Sequence, residues 1–297
     1  MQDSSALPPH QAPISDPARA IRLALAAMCI LSIQDAIIKW LGADYPLLQL
    51  MFVRSALVLI PVALLTRRLT GVYALPTRRP ARYLLHVGLQ FASFMSFYYS
   101  LTRLPLADAL AFAMTAPLFI TALSGPLLSE RADGPRILAL GVGFTGVIVM
   151  IGPQWRSTDW LGVAAALAGS LTYALWLIHA RFLAATERSE QLVFYGAMGM
   201  ALVTAATLPW IWIPLASASD AGLMALLGIT SALGLYGLMQ AYRYAPVYVV
   251  AQYDFTALIW AALLGFLIWN ETPAFSVILG AAMVVAAGLY VYRHRDR

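Results

Sequence analysis

Residues 105–130, PLADALAFAMTAPLFITALSGPLLSE, and residues 246–271, PVYVVAQYDFTALIWAALLGFLIWNE, are the stretches on which the fold turns. Each opens on proline, stays apolar for about one bilayer crossing and closes on glutamate. At an offset of 141 residues they align without a gap, pairing Pro105 with Pro246, Thr115 with Thr256, Ala116 with Ala257, Leu123 with Leu264 and Glu130 with Glu271. A two-residue link precedes each (103–104 and 244–245), and a short helix rich in small residues follows each. The pattern reads as one unit used twice.

The rest of the chain has the same texture. Of its 297 residues 61% are apolar and 11% charged, against roughly 45–50% and about 25% in a soluble domain. The apolar residues fall into ten blocks, at 19–40, 46–66, 82–102, 105–129, 135–152, 159–180, 190–212, 221–243, 246–269 and 274–292. Each suits the ~30 Å hydrocarbon core of a bilayer. The expectation is an all-α polytopic membrane protein with ten transmembrane helices. The nine loops average about six residues, so no extramembrane domain fits and function must sit inside the bundle.

Several classes of function fall away. The net charge of +5 is loop arginine with a topological explanation, so nucleic acid is not an expected partner. The single cysteine, Cys29, cannot form an intramolecular disulfide, and His10, His86, His179 and His294 have no ligand spacing. Neither metal nor cofactor is expected. Residues 1–18 are polar, hold four prolines and lack the basic start of a signal peptide, which reads as a disordered lead into helix 1. Cys29 follows Met28 rather than a small residue, which argues against a lipid anchor.

Assigning loops alternately to two sides places fifteen arginines with the termini and two, Arg103 and Arg156, on the other side. The positive-inside rule then puts both termini in the cytoplasm, as an even number of crossings requires. With five helices per half, the second copy enters the membrane from the opposite side. The expectation is a 5+5 inverted-topology repeat, with residues 1–18 as a tail, 19–152 and 153–292 as the two halves and 293–297 as a C-terminal tail. Inverted repeats are the architecture of alternating access.

Ten short-looped helices in this arrangement, with Glu130-Arg131 and Glu271-Thr272-Pro273 each closing a helix before one rich in small residues (Gly141, Gly143 and Gly146; Gly280 and Gly288), resemble the EamA branch of the drug/metabolite transporter superfamily. The resemblance covers nearly the whole chain. In size and aromatic content it is most similar to the aromatic amino acid exporters and their broad-specificity relatives. It implies an exporter with a pathway between the halves; the expected place is the cytoplasmic (inner) membrane, and a monomer is compatible with the sequence, which does not set the oligomeric state.

Ionisable groups within spans cost about 2.5–3.5 kcal/mol each on insertion scales and need partners or water. Asp35 and Lys39 lie one turn apart on helix 1, acid first, and can pair with each other. Arg54 lies eight residues past Pro46, ~12 Å down helix 2 at 1.5 Å per residue, level with Asp35. An Asp35–Arg54 clamp is therefore the second pairing to expect. Asp254 lies eight residues past Pro246, with Gln90, Gln240 and Tyr236 at comparable depth. Helix 3 carries His86, Gln90, Ser93, Phe97 and Ser100 on one face, and helix 6 carries Gly169, Thr172, Trp176 and His179, stripes that suit either a pathway or interhelical packing. Glu130 and Glu271 are expected to cap the helix after each, or to accept from a loop arginine.

Phe94, Phe97, Tyr98, Tyr99, Trp176, Tyr236, Tyr253 and Trp260 fall within spans and can wall an amphiphilic pocket. Two intramembrane acids balance two bases, which suits a zwitterion better than a phosphorylated sugar or a cationic drug. Asp35, Gln90, Phe94, Tyr98, Tyr99, Trp176, Tyr236, Gln240, Tyr253, Asp254 and Trp260 are thus the pathway candidates. No Gly-x-Gly-Asp, Gly-x-Ser-x-Gly or His-Glu-x-x-His occurs, so enzymatic chemistry is not expected. The function expected is export of small amphiphilic metabolites, amino acids foremost, with another metabolite, a cationic drug or a channel-like facilitator as alternatives.

Overall fold

The computed structural model of the chain describes residues 16–70, 80–128, 134–152, 159–184, 189–244 and 251–293. Glu130, Pro246 and both chain ends lie outside the described residues. Within them every regular element is helical. In chain order these are α1 (Pro17–Leu41), α2 (Leu47–Thr70), α3 (Pro80–Arg103), α4 (Leu106–Ala113), α5 (Ala116–Leu128), α6 (Gly134–Ile151), α7 (Trp160–Ala184), α8 (Ser189–Ala205), α9 (Leu208–Ile211) and α10 (Ala218–Tyr244). A 3₁₀ turn (Ala251–Thr256), α11 (Ala257–Trp269) and α12 (Phe275–Arg293) complete the chain.

Proline explains two places where one expected span becomes two helices. Pro117 cannot donate to the carbonyl of Ala113 and its ring clashes there, and α4 ends at Ala113. Pro209 stands in the same relation to Ala205, where α8 ends. The polar atoms freed at the first break find partners, as a hydrocarbon surrounding demands. Thr115 Oγ1 donates to the Phe112 carbonyl at 2.7 Å, and Ser170 Oγ of α7 reaches the carbonyls of Phe112 and Ala113 at 3.1 and 3.2 Å. At the positions 141 residues on, Thr256 Oγ1 donates to the Tyr253 carbonyl at 2.6 Å, where the 3₁₀ turn gives way to α11. The shared Thr-Ala pair thus marks the same hydrogen bond and the same change of helix in both stretches.

Five described stretches are long and apolar enough to cross a bilayer: Ala18–Leu41, Leu47–Leu64, Leu106–Leu123 running through α4 and α5, Trp160–Ala180 and Ala218–Leu238. The apolar runs Ile137–Ile151, Phe194–Ala205, Tyr253–Trp269 and Phe275–Tyr290 are shorter.

The most extensively packed pairs are α1 with α10, α3 with α7, α6 with α12 and α2 with α8. Small residues permit the close approaches. A Cβ added to Gly146 of α6 would lie 2.7 Å from the Gly280 carbonyl of α12, and one on Gly280 would lie 2.6 Å from Met150 Cγ. Gly169 of α7 sits against the backbone of Phe97, and Ser93 Oγ donates to the Gly169 carbonyl at 3.1 Å. The two polar stripes therefore meet and pack against each other there. The main apolar core joins Ile38, Leu41, Leu50, Met51, Leu101, Leu106 and Leu118 at the end of the bundle distal to the chain termini.

Candidate substrate pathway

Midway along α1 the structure builds a polar hub on a residue that the sequence reading passed over. Gln34 is 3% exposed. Its amide donates to Tyr98 Oη at 3.2 Å and to Asp35 Oδ1 at 3.3 Å, while its Oε1 accepts from Ser231 Oγ at 2.6 Å and from Arg54 Nε at 3.4 Å. One glutamine so links α1, α2, α3 and α10. Asp35 and Arg54 are at the same level, as their depths require, but they form no ion pair among the described residues. Gln34 stands between them and contacts both, because on α1 it points at α2 and α3 while its neighbour Asp35 is turned 100° away.

The Arg54 guanidinium lies 4.8 Å from the centre of the Phe94 ring and 5.9 Å from that of Tyr98. Phe94 and Tyr98, one turn apart on α3, stack at 5.9 Å and 11°. The aromatic surface continues from Phe94 to Trp176 at 6.3 Å and from Trp176 to His86 at 5.4 Å, where Trp176 Nε1 donates to His86 Nε2 at 3.0 Å. His179 follows at 5.9 Å from His86. Flat faces thus run from the Gln34 hub along α3 and α7 toward the end bearing the termini.

Lys39 is ion-paired, but to Glu271 rather than to its helical neighbour Asp35. Its Nζ donates to Glu271 Oε1 at 2.6 Å and to the Leu104 carbonyl at 2.7 Å, and it stands 5.0 Å from the Trp269 ring. Glu271 Oε2 accepts from Leu106 N at 2.9 Å. Glu271 therefore caps α4, a helix of the other half, and not the helix after it. A carboxylate at a helix N-terminus meets the positive end of the dipole, which suits the cap to its place. Asp108, in the first turn of α4, lies within electrostatic reach of Lys39 and Glu271, and its buried Oδ1 has no hydrogen-bond partner. Other ties gather at this distal end. Arg103 Nε meets Asp159 Oδ2 at 2.9 Å, Tyr45 Oη donates to Asp220 Oδ2 at 2.8 Å, and Gln49 exchanges two hydrogen bonds with the backbone of Ile213.

The remaining candidates are dispersed. Gln90 lies against Gly196 of α8, its buried Oε1 without a partner. Tyr99 and Tyr236 are exposed, the latter 52%, away from the hub. Tyr253 packs by Ala20, Ala24 and Ala241 near the N-terminal end of α1. Asp254, in the 3₁₀ turn, has a buried Oδ1 without a partner, as has the indole nitrogen of Trp260, whose ring packs on the main core. Gln240 of α10 is half-buried. No group of metal-binding side chains occurs among the described residues.

A helical bundle with apolar exteriors and polar side chains turned onto one another within it is the build of a membrane carrier. The chain belongs to the EamA-like transporter family, which it matches over residues 18–152 and again over 160–293. The S-adenosylmethionine uptake transporter of Rickettsia prowazekii is 28% identical over 90% of each chain. The pseudopaline exporter of Pseudomonas aeruginosa is 27% identical over 92% of this chain and 95% of its own. The riboflavin transporter of Rhizobium johnstonii is 28% identical over 76% of this chain and 75% of its own. A crystal structure 17% identical in sequence shares the fold, with a TM-score of 0.62 over 94% of this chain and 97% of that one. The protein is a multi-pass membrane transporter of small molecules, not an enzyme.

Proposed function

We propose that the chain is a secondary transporter of ten crossings, two inverted five-helix repeats that rock about a central site and export small amphiphilic metabolites, amino acids foremost. Both termini face the cytoplasm of the inner membrane. Counting α4 with α5, α8 with α9, and the 3₁₀ turn with α11 as single crossings gives ten. A two-fold that exchanges the halves turns the α1–α10 pair into the α7–α3 pair and returns α2–α8, α4–α11 and α6–α12 to themselves, in keeping with the observed packing. The recurring Thr115 and Thr256 hydrogen bonds and the two separate family matches support the same reading.

The substrate reading is carried by one observation: an arginine and an acid held apart by Gln34 at the head of an aromatic track. The Arg54 guanidinium keeps donors for a carboxylate, Asp35 keeps oxygens for an ammonium, and Phe94, Tyr98 and Trp176 offer faces to an apolar or flat body. In this conformation the distal, exterior end is shut by the Lys39–Glu271 pair. The transport directions named for the relatives differ, and the exporter among them supports export here. The broader reading, a metabolite joining an amino-acid head to a flat base, is favoured by the S-adenosylmethionine relative.

The test is counterflow in proteoliposomes of radiolabelled phenylalanine, threonine, methionine and lysine, each challenged with unlabelled S-adenosylmethionine and riboflavin. Saturable exchange of amino acids, lost in Arg54→Ala, is expected. Exchange of S-adenosylmethionine without exchange of any amino acid overturns the amino-acid assignment. Passage without saturation or counterflow overturns the carrier in favour of a channel.

A further inference from the structure

A cavity of about 340 Å³ opens between α3 and α7 at the end bearing the termini, lined by Arg82, Leu85, His179, Phe182 and Leu183. Its walls divide by polarity. Arg82, in the first turn of α3, is exposed and makes no hydrogen bond or ion pair among the described residues. His179, in the penultimate turn of α7, has a buried Nδ1 without a hydrogen-bond partner among the described residues and lies close enough to Arg82 to feel its charge. Opposite these polar atoms the wall is hydrocarbon and open to the outside: Leu85 is 54% exposed and Phe182 48%, and the adjoining Leu84 is 73% exposed.

The direction in which this cavity opens follows from helix geometry. Leu85 precedes Phe94 by nine residues, which is two and a half turns, so the two side chains point to opposite sides of α3. Phe94 faces Arg54 of α2, and Val87 faces Gly199 of α8. The Leu85 side therefore looks away from the bundle, into the bilayer. Arg82 sits one turn further toward the helix end, at the level where side chains meet headgroups.

We propose that this cavity is a binding site for an anionic phospholipid of the leaflet facing the termini. Its phosphate lies against the Arg82 guanidinium and within reach of the His179 ring, and its acyl chain lies along Leu85 and Phe182. A guanidinium can hold phosphate with two parallel hydrogen bonds, and among the described residues no protein acceptor takes up the Arg82 cation. Free phosphate has the same headgroup chemistry, but the exposed leucine and phenylalanine give it nothing to bind. The site flanks α3 and α7, the helices that carry the aromatic track, so an occupied site braces them from outside. The proposal rests on placing this end at the membrane surface and is independent of the substrate reading.

The experiment is native mass spectrometry of the full chain released from mixed phosphatidylglycerol and phosphatidylcholine nanodiscs, comparing wild type, Arg82→Gln, Arg82→Lys, Phe182→Ala and Arg22→Gln as a control at the same end. Wild type and Arg22→Gln are expected to retain phosphatidylglycerol over phosphatidylcholine. Arg82→Gln should lose about fivefold in that preference, the effect of one basic residue at a membrane surface, and Arg82→Lys should fall between. Phe182→Ala should weaken retention of both lipids, and added salt should weaken retention of phosphatidylglycerol in wild type. Equal retention of the two lipids by wild type, or an unchanged preference in Arg82→Gln, overturns the proposal. Displacement of phosphatidylglycerol by millimolar inorganic phosphate also overturns it and makes the cavity a site for soluble anions. Should Arg82→Gln fail to fold, the wild-type lipid preference, its salt dependence and Arg82→Lys still decide. The readout is lipid retention, so absence of amino-acid counterflow leaves it unaffected.

Discussion

Lys39 and Glu271, 232 positions apart in the chain, meet at 2.6 Å and share the start of α4 between them. Neither is fully exposed, with side-chain exposures of 11% and 23%, so the pair is only partly screened by water. Breaking it by Glu271→Gln leaves a lysine near a carbonyl and a tryptophan ring and removes the charge on the α4 cap. A double-mutant cycle with Lys39→Met, read by thermal unfolding in detergent, is expected to give a coupling of about 0.5–3 kcal/mol. If the pair also shuts the exterior end, a single cysteine introduced near Trp269 becomes more reactive to an impermeant reagent in Glu271→Gln than in wild type. Unchanged reactivity removes the pair from the gate.

The hydroxyls of Thr115 and Thr256, 141 residues apart, each donate to the carbonyl three residues before. Thr115→Val and Thr256→Val, which keep shape and delete the donor, should each cost about 0.5–1.5 kcal/mol, the net contribution of a typical intramolecular hydrogen bond. The two hydroxyls donate to different carbonyls and share no hydrogen-bond partner, so the double variant should show the sum. A large loss in one and none in the other would argue against equivalent breaks.

Glycine does different work on the two helices of the α6–α12 pair. Gly280→Ala forces a methyl into Met150 and the Gly146 backbone, and should destabilise by about 1–3 kcal/mol through overpacking. Gly141→Ala, where an added Cβ meets nothing within 4 Å, should be neutral or gain up to ~1 kcal/mol from helix propensity. Melting temperatures of the two variants, measured side by side, check the contrast.

At the hub, Arg54→Lys keeps the charge but loses the planar face over Phe94 and Tyr98. Cation–π contacts contribute about 0.5–2 kcal/mol, so KM for counterflow should rise roughly 3- to 30-fold with the fold of the protein intact. Gln34→Leu, which removes the spacer between acid and base, should do at least as much. A KM unchanged in both variants takes Arg54 off the pathway.

The sequence made the bundle legible because blocks of about 20 apolar residues have few alternatives in water or lipid. The level of Asp35 and Arg54 could also be read, since rise per residue fixes depth. Partners could not be read in the same way. Lys39 had an acid at the favourable spacing on its own helix, and nothing local reveals that Glu271 lies closer across the bundle. Gln34 was overlooked beside the charged Asp35, although an amide with both donor and acceptor suits a hub better than a carboxylate does. Asp108 takes its place beside Lys39 and Glu271 from the packing of α4 against α11, which no local pattern encodes. Tyr99 and Tyr236 are legible as intramembrane aromatics, but their exposures of 39% and 52% follow from rotation about the helix axis, which depth in the span does not give. Proline position alone does not fix where a helix stops: α4 ends at Ala113 and α8 at Ala205, four residues before Pro117 and Pro209, whereas α2 runs unbroken through Pro61.

Five of the ties described at the distal end join a residue of the first half to one of the second: Lys39 and Leu106 to Glu271, Arg103 to Asp159, Tyr45 to Asp220, and Gln49 to Ile213. Neither half can satisfy these groups from its own stock. Two polypeptides cut between residues 152 and 160 would each insert with donors or acceptors that only the other supplies, and the bilayer would confine them to find it. In this protein the covalent join sets a one-to-one ratio of the halves, while recognition between them is written in the side chains.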